Sequence, residues 1–224
     1  MRSIIDERPR QRRIGGLSMP NYSVLIKDWN SFFSSIFGET ITDTIGWFSR
    51  PRALVSGIVV PKWMTLELLF SVFDSCRIPI RNGLGSGPEY ALTHRRDPAR
   101  HGSYIVWHVG KEFPDDDLIG VRGLELIEHG IETLTLIEYL LFHLHYFVRH
   151  QWMLRPDRRN LESGVVPKIL CAGTENARGN IPLAYDDNGT LALTIIHPYP
   201  DHPDAFTGSR RVYADPRVFG TNYL

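Results

Sequence analysis

Cysteine is scarce in this chain of 224 residues: Cys76 and Cys171 stand alone, with no C-x-x-C pair, which excludes a disulfide framework. Lysine is nearly as rare, with Lys27, Lys62, Lys111 and Lys168 beside 21 arginines. Net charge is zero, so no global field recommends nucleic acid or a membrane surface as partner. No apolar run of about 18 residues occurs, because Glu138 and the histidines interrupt the longest candidate. The stretch "MRSIIDERPRQRRIGG" holds no apolar segment long enough for a signal peptide. No internal repeat is visible. These absences predict a soluble, cytoplasmic protein of a reducing compartment, with no cofactor and no membrane partner.

What is present suits a globular protein. Hydrophobic residues make up 42% and aromatics 11%, enough to bury a sizeable core. Charge is unevenly spread: residues 1–111 carry 15 basic and 9 acidic groups, whereas residues 112–138 carry 8 acidic groups against Arg122 alone. The arginine bias has two readings, codon usage in a GC-rich genome or recognition of carboxylate and phosphate by the planar guanidinium fork.

Periodicity divides the chain into elements. Residues 1–20 read as a disordered Arg-rich tail, and 21–224 as a single α+β domain. "NYSVLIKDWNSFFSSIFG" spaces Leu25, Trp29, Phe32, Phe33 and Ile36 as a helix does, and Gly38 stands where it would stop. "RALVSGIVV" reads as a buried strand and "TLELLFSVFDSC" as a helix. From Ile80 to Gly102 the chain is rich in glycine, proline and arginine and reads as a mobile loop. "SYIVWHV" is a strand, and the aspartates of "FPDDDLIGVRG" are placed to cap a following helix. Four late strands follow in "VPKILCAG", "NIPLAY", "TLALTIIH" and "SRRVYA", the middle two joined at Asn188-Gly189, a strong hairpin signal. The expected fold is N-terminal helices and short strands, one long central helix over about 135–152, and a C-terminal antiparallel meander.

The central helix carries the histidines. Thr135-Leu-Ile-Glu138 is a capping box, and Ile137, Leu140, Leu141, Leu144, Phe147 and Val148 recur at helical steps. On a helix, His143 and His145 diverge by about 200°, so they cannot share one metal ion. Tyr139, His143, Tyr146 and His150 instead form a stripe of rings. Its histidines are separated by about 10.5 Å along the axis, too far for one zinc. The stripe reads as a half-buried flank or a ligand-stacking wall, and no metal site is expected.

Other candidates are sparser. "HPYPDHPD" supplies His197, Asp201, His202 and Asp204, a set suited to acid–base work or to a solvated turn. Asp186 and Asp187 lie at the hairpin. Cys171 is a nucleophile candidate only if a histidine approaches it. The glycines of "NGLGSG" match no phosphate-binding motif, and Asp115-Asp116-Asp117 lacks calcium-loop spacing.

Several stretches, taken in order, resemble a group of uncharacterised bacterial proteins of roughly this length. They are "DWNSFFSSIFG", "SYIVWHV" before an acidic cluster, "LTLIEYLLFHLHYF", "ILCAGTENARGNIPLAY" and "SRRVYA", spanning about residues 27–214. The Leu-Cys-Ala-Gly stretch followed by Gly-x-Ile-Pro carries most of the likeness. The chain departs from that group at Tyr139, at Thr174-Glu175 and at Val109, where the group has charged or Gly-Ser-Arg patterns. The resemblance implies a single-domain bacterial cytoplasmic protein and no reaction.

Three functions are therefore expected in order. The first is a non-catalytic binding or interaction protein for a protein or small anionic ligand, using the C-terminal sheet and the flank of the 135–152 helix as its surface, with Arg178, Arg210 and Arg211 as anion-recognising groups. The second is a hydrolase using His197, His202 and Asp186, Asp187 or Asp201 at the open end of the sheet. The third is a nucleic-acid-associated protein using the arginine tail and the 94–101 loop.

Overall fold

Trp29, Phe32 and Phe33 fall on one side of a 16-residue helix, and all three are buried in the computed structural model of the chain. The structure describes residues 22–43, 45, 56–108, 115–150, 168–198 and 207–213. The first helix, α1 (Tyr22–Phe37), ends at Gly38, whose φ of +70° suits a residue without a Cβ. The Arg-rich tail lies outside the described residues.

Helix α1 packs on a two-stranded antiparallel pair, β1 (Ser56–Val60) with β4 (Tyr104–His108). The Trp29 indole donates to the Gly57 carbonyl at 3.1 Å. A Cβ at Gly57 would meet Leu25 at 2.9 Å and the Trp107 ring at 3.0 Å, so glycine allows the close approach. Helix α2 (Leu66–Ser75) is capped by Thr65, which accepts from the Leu68 amide. Helix α5 (Leu136–His150) packs against both α2 and β1. One core cluster joins these elements from Trp29 to Val212, and burying a side chain such as Phe33 contributes about 1.5–3 kcal/mol.

The main sheet has five strands in the order β2 (Ile80–Gly83), β8 (Thr190–Ile196), β7 (Ile181–Asp187), β5 (Lys168–Leu170) and β9 (Thr207–Ser209). Alternation along the strands divides its faces. Ile169, Ala184, Leu191 and Leu193 join the main core, while Leu170, Ile181 and Leu183 join a second cluster with Leu118 and Leu126. That second face is covered by the turn at Asp116–Leu118 and by α4 (Gly123–Glu128). The protein is thus α+β.

Three expectations change. The sheet is mixed rather than an antiparallel meander, because β2 pairs parallel to β8 and β9 parallel to β5. The aspartates of 115–117 cap no helix: Asp115 instead accepts from the Arg211 amide at 2.8 Å, and Arg122 stands at the cap of α4. The segment 80–102 is ordered into β2, a 3-10 turn at Pro88–Tyr90, β3 (Leu92–His94) and α3 (Pro98–His101). β3 pairs with β6 (Thr174–Asn176), which ties this segment to the sheet side of the molecule. Gly83 and Gly85 serve packing. A Cβ at Gly83 would lie 2.6 Å from the Leu193 carbonyl oxygen, and one at Gly85 would strike the Tyr90 ring at 2.5 Å.

Candidate functional site

The N-terminus of α5 is densely hydrogen-bonded. Glu138 and Thr135 form the capping box: Glu138 N–H donates to Thr135 Oγ1 at 3.2 Å, and Thr135 N–H donates to Glu138 Oε2 at 2.8 Å. The same carboxylate is gripped by Arg96, whose Nε donates to Oε1 at 2.7 Å and whose Nη2 donates to Oε2 at 2.9 Å. Arg96 also donates to Glu132 and to the Thr133 carbonyl. The Tyr104 hydroxyl lies 3.1 Å from Glu138 Oε1 and 3.0 Å from the Arg96 carbonyl, and its one proton serves one of them.

Arg96 is 2% exposed and Glu138 fully buried. Burial opposes the Arg96 charge, but the Glu138 and Glu132 carboxylates outweigh it and hold the guanidinium above the ordinary arginine pKa. Burial, with Glu138 adding to it, drives the Tyr104 phenol well above its usual value. Arg96 and Glu138 are closed to solvent and satisfy each other, Glu132 reaches the surface, and the cluster orders the start of α5.

A second connection runs outward from the same helix end. The Leu136 amide donates to Thr174 Oγ1 at 2.9 Å, and that oxygen lies 2.7 Å from His94 Nδ1. Gly173 makes this possible: a Cβ there would meet the Thr133 carbonyl at 2.8 Å and the Thr135 nitrogen at 3.0 Å. The Cys-Ala-Gly stretch is therefore the seat on which the helix start rests.

His94 lines a cleft of about 380 Å³ between the N-terminal end of α2 and the 82–99 segment. Its apolar walls include Met64, Phe70, Leu84, Leu92 and Ile137. Tyr90 contributes a ring, and Thr65, Glu67, Asn82 and Asp97 supply polar atoms. Much of this lining already has internal duties. Thr65 caps α2, Asn82 accepts from the Leu84 amide at 3.1 Å, and Asp97 caps α3 through the Ala99 amide at 2.9 Å. Burial holds the His94 imidazole below its ordinary pKa, although Asp97, Glu138 and Glu67 pull the other way.

The residues singled out from sequence are spread widely. Helix α5 does turn its histidines apart. His145 stacks on Trp29 at 4.1 Å between ring centroids, while His143 sits near Phe73 and Tyr139 at 6.1 and 5.9 Å. The stripe is deeper than a half-buried flank at its start, since Tyr139 and His143 are buried, Tyr146 is partly buried and His150 is exposed. Burial drops His143 to a pKa of about 3 and His145 to about 4.

Arg178 lies over the Tyr90 ring at 5.7 Å and 4.0 Å from Glu89. Arg211 pairs with Asp117 at 3.1 Å. Arg210 is 2% exposed, with Nη1 2.9 Å from His108 Nδ1 and its guanidinium 5.0 Å from the Phe142 ring centre. Burial, followed by Arg210, holds His108 well below the usual histidine pKa. The three arginines thus belong to three separate internal contacts.

The hydrolase candidates are not gathered either. His197 follows the far end of β8, whereas Asp186 and Asp187 flank the hairpin turn at its near end. Asp186 accepts from the Gly189 amide, and Asp187 pairs with Arg81 at 2.7 Å. Asp201, His202 and Asp204 lie outside the described residues. Cys171 is fully buried, and burial pushes its thiol far above the thiolate range. Of the 94–101 arginines, Arg96 is committed to the buried network, while Arg100 is exposed and pairs with Asp97 at 3.4 Å. Among the described residues, no group of three or more His, Cys, Asp or Glu converges as metal ligands would. Nor is any helix there long and apolar enough to cross a membrane.

No sequence motif marks His94, Arg96 and Thr174 as one set. The signal for part of this was Asp97-Pro98: a capping aspartate with proline at the first helical position marks a helix start, which fixes the backbone around Arg96. Comparison with protein-family models, curated proteins and solved structures finds no match to this chain.

Proposed function

We propose that the protein is a non-catalytic binding protein and that its ligand seats in the cleft between α2 and the 82–99 segment. The observation that carries this reading is the cleft itself. Its volume of about 380 Å³ falls in the range of small-molecule sites, roughly 300–1,000 Å³, and its walls combine apolar surface with a few convergent polar groups. It also stands on a firm base. His94, Thr174 and the α5 start are linked by hydrogen bonds, and Arg96 two residues on is fixed by the Glu138 pair. Preorganised walls reduce the ordering cost of binding.

The pair His94–Thr174 has the residue types of a base and a nucleophile, yet its geometry favours a capping role. Thr174 is 1% exposed and its oxygen is occupied by the Leu136 amide, leaving no room for an acyl or phosphoryl group.

The test is a panel of small fragments of all charge types, screened by amide chemical shifts. Under this reading, fragments that bind shift the amides of Phe70, Leu84, Tyr90 and Leu92 together. A panel whose binders cluster elsewhere, or which yields no binder, contradicts it.

A further inference from the structure

From the sign of the groups around the cleft we infer that its ligand is a small organic cation, an ammonium group carrying an apolar or aromatic body. This rests on the cleft being the binding site and specifies what enters it. Two carboxylates, Glu67 and Asp97, line the cleft, and neither a lysine nor an arginine does. Asp97 is partly committed, through the Ala99 amide and Arg100. Glu67 is exposed at the first turn of α2, and no hydrogen bond or ion pair engages its carboxylate among the described residues.

Three of the arginines nearby are held by carboxylates. Arg100 faces Asp97, Arg178 is 4.0 Å from Glu89, and Arg96 is held by Glu138 and Glu132. Burial disfavours the charged form of His94, although the surrounding carboxylates pull the other way. An anion entering the cleft would meet the carboxylates of Glu67 and Asp97, with no lysine or arginine in the lining itself.

The apolar lining completes the match. Phe70 offers ring surface to a cation within about 6 Å of its ring centre, and Met64, Leu84 and Ile137 accept an apolar body. A cation whose body fills the apolar wall while its nitrogen meets Glu67 uses both halves of the lining.

The experiment titrates the full chain with 2-phenylethylamine, 2-phenylethanol and 3-phenylpropionate, three probes of one skeleton and different charge. Amide shifts at Phe70, Leu84 and Tyr90 report occupancy. The amine binds about fivefold more tightly than the alcohol, and the carboxylate more weakly than either, as a partly exposed ion pair with ring contact allows. In Glu67→Gln, an exposed position whose change leaves the fold intact, the preference for amine over alcohol disappears. Raising salt weakens the amine and leaves the alcohol unchanged.

Equal binding of amine and alcohol, or tighter binding of the carboxylate, overturns the cation inference and leaves the cleft as the binding site. The same holds if none of the three shifts the cleft amides while other fragments do. If no compound of any charge shifts them, the cleft reading falls as well.

Discussion

Arg96 Nη2 and Glu138 Oε2 lie 2.9 Å apart beneath the start of α5, one residue 2% exposed and the other fully buried. Breaking such a pair from one side strands a charge away from water, which costs about 3–5 kcal/mol. Arg96→Met and Glu138→Gln each lose stability on that scale in urea denaturation. The double variant is less destabilised than the sum of the singles by at least about 2 kcal/mol, because the one carboxylate left without its partner, Glu132, is half-exposed and no buried charge is left alone. Additive losses would mean that the two side chains are not coupled.

Gly173→Ala tests the seat of the helix. The added methyl would meet backbone atoms of Thr133 and Thr135 at 2.8 and 3.0 Å, and backbone cannot swing aside as a long side chain can. The expected loss is about 1–3 kcal/mol, with amide shifts spreading through Leu134–Leu136 and Thr174. A neutral substitution would show that the helix start does not rest on Gly173.

The histidines of α5 set an acid limit on stability. His143 titrates at about 3 and His145 at about 4 when folded, against about 6.5 when unfolded. Between those values the unfolded chain binds more protons than the folded one. Stability is therefore intact above about pH 6.5 and falls as pH drops toward 4, by up to about 1.4 kcal/mol per pH unit for each histidine. Comparing urea denaturation at pH 7 and pH 5 measures this. A His143→Phe, His145→Phe double variant loses less over the same interval, and an unchanged slope would contradict the assignment.

The two thiols differ in environment. Cys171 is fully buried while Cys76 is partly exposed. A thiol reagent applied to native protein modifies Cys76 and spares Cys171, and reaches both after denaturation. Rapid modification of Cys171 in the native state would reopen its standing as a nucleophile.

These outcomes bear on how much of the molecule was legible in its sequence. The helices at Tyr22–Phe37, Leu66–Ser75 and Leu136–His150 were, because each follows a 3.6-residue apolar period and the last two begin with a side-chain cap. The hairpin at Asn188-Gly189 was also legible, since Asn188 adopts a φ of +54° and Gly189 one of +83°. The parallel edges of the sheet were not, because the strands β2 and β8 meet across more than a hundred residues and no local pattern encodes that pairing. The cleft was hidden for a related reason. Its walls come from 64–70, 82–99 and Ile137, and the middle segment has short elements held by tertiary contacts such as Arg96 with Glu138. A two-residue Asp-Pro start was the one local trace of them.

The most direct test of the binding account is a crystal structure of the protein with the tightest-binding amine from the fragment panel. The account predicts the compound between Phe70, Leu84 and Tyr90, with its nitrogen in hydrogen-bond reach of Glu67. Density for the compound at Arg211 or the end of the sheet near His197, with nothing bound between α2 and the 82–99 segment, would contradict it.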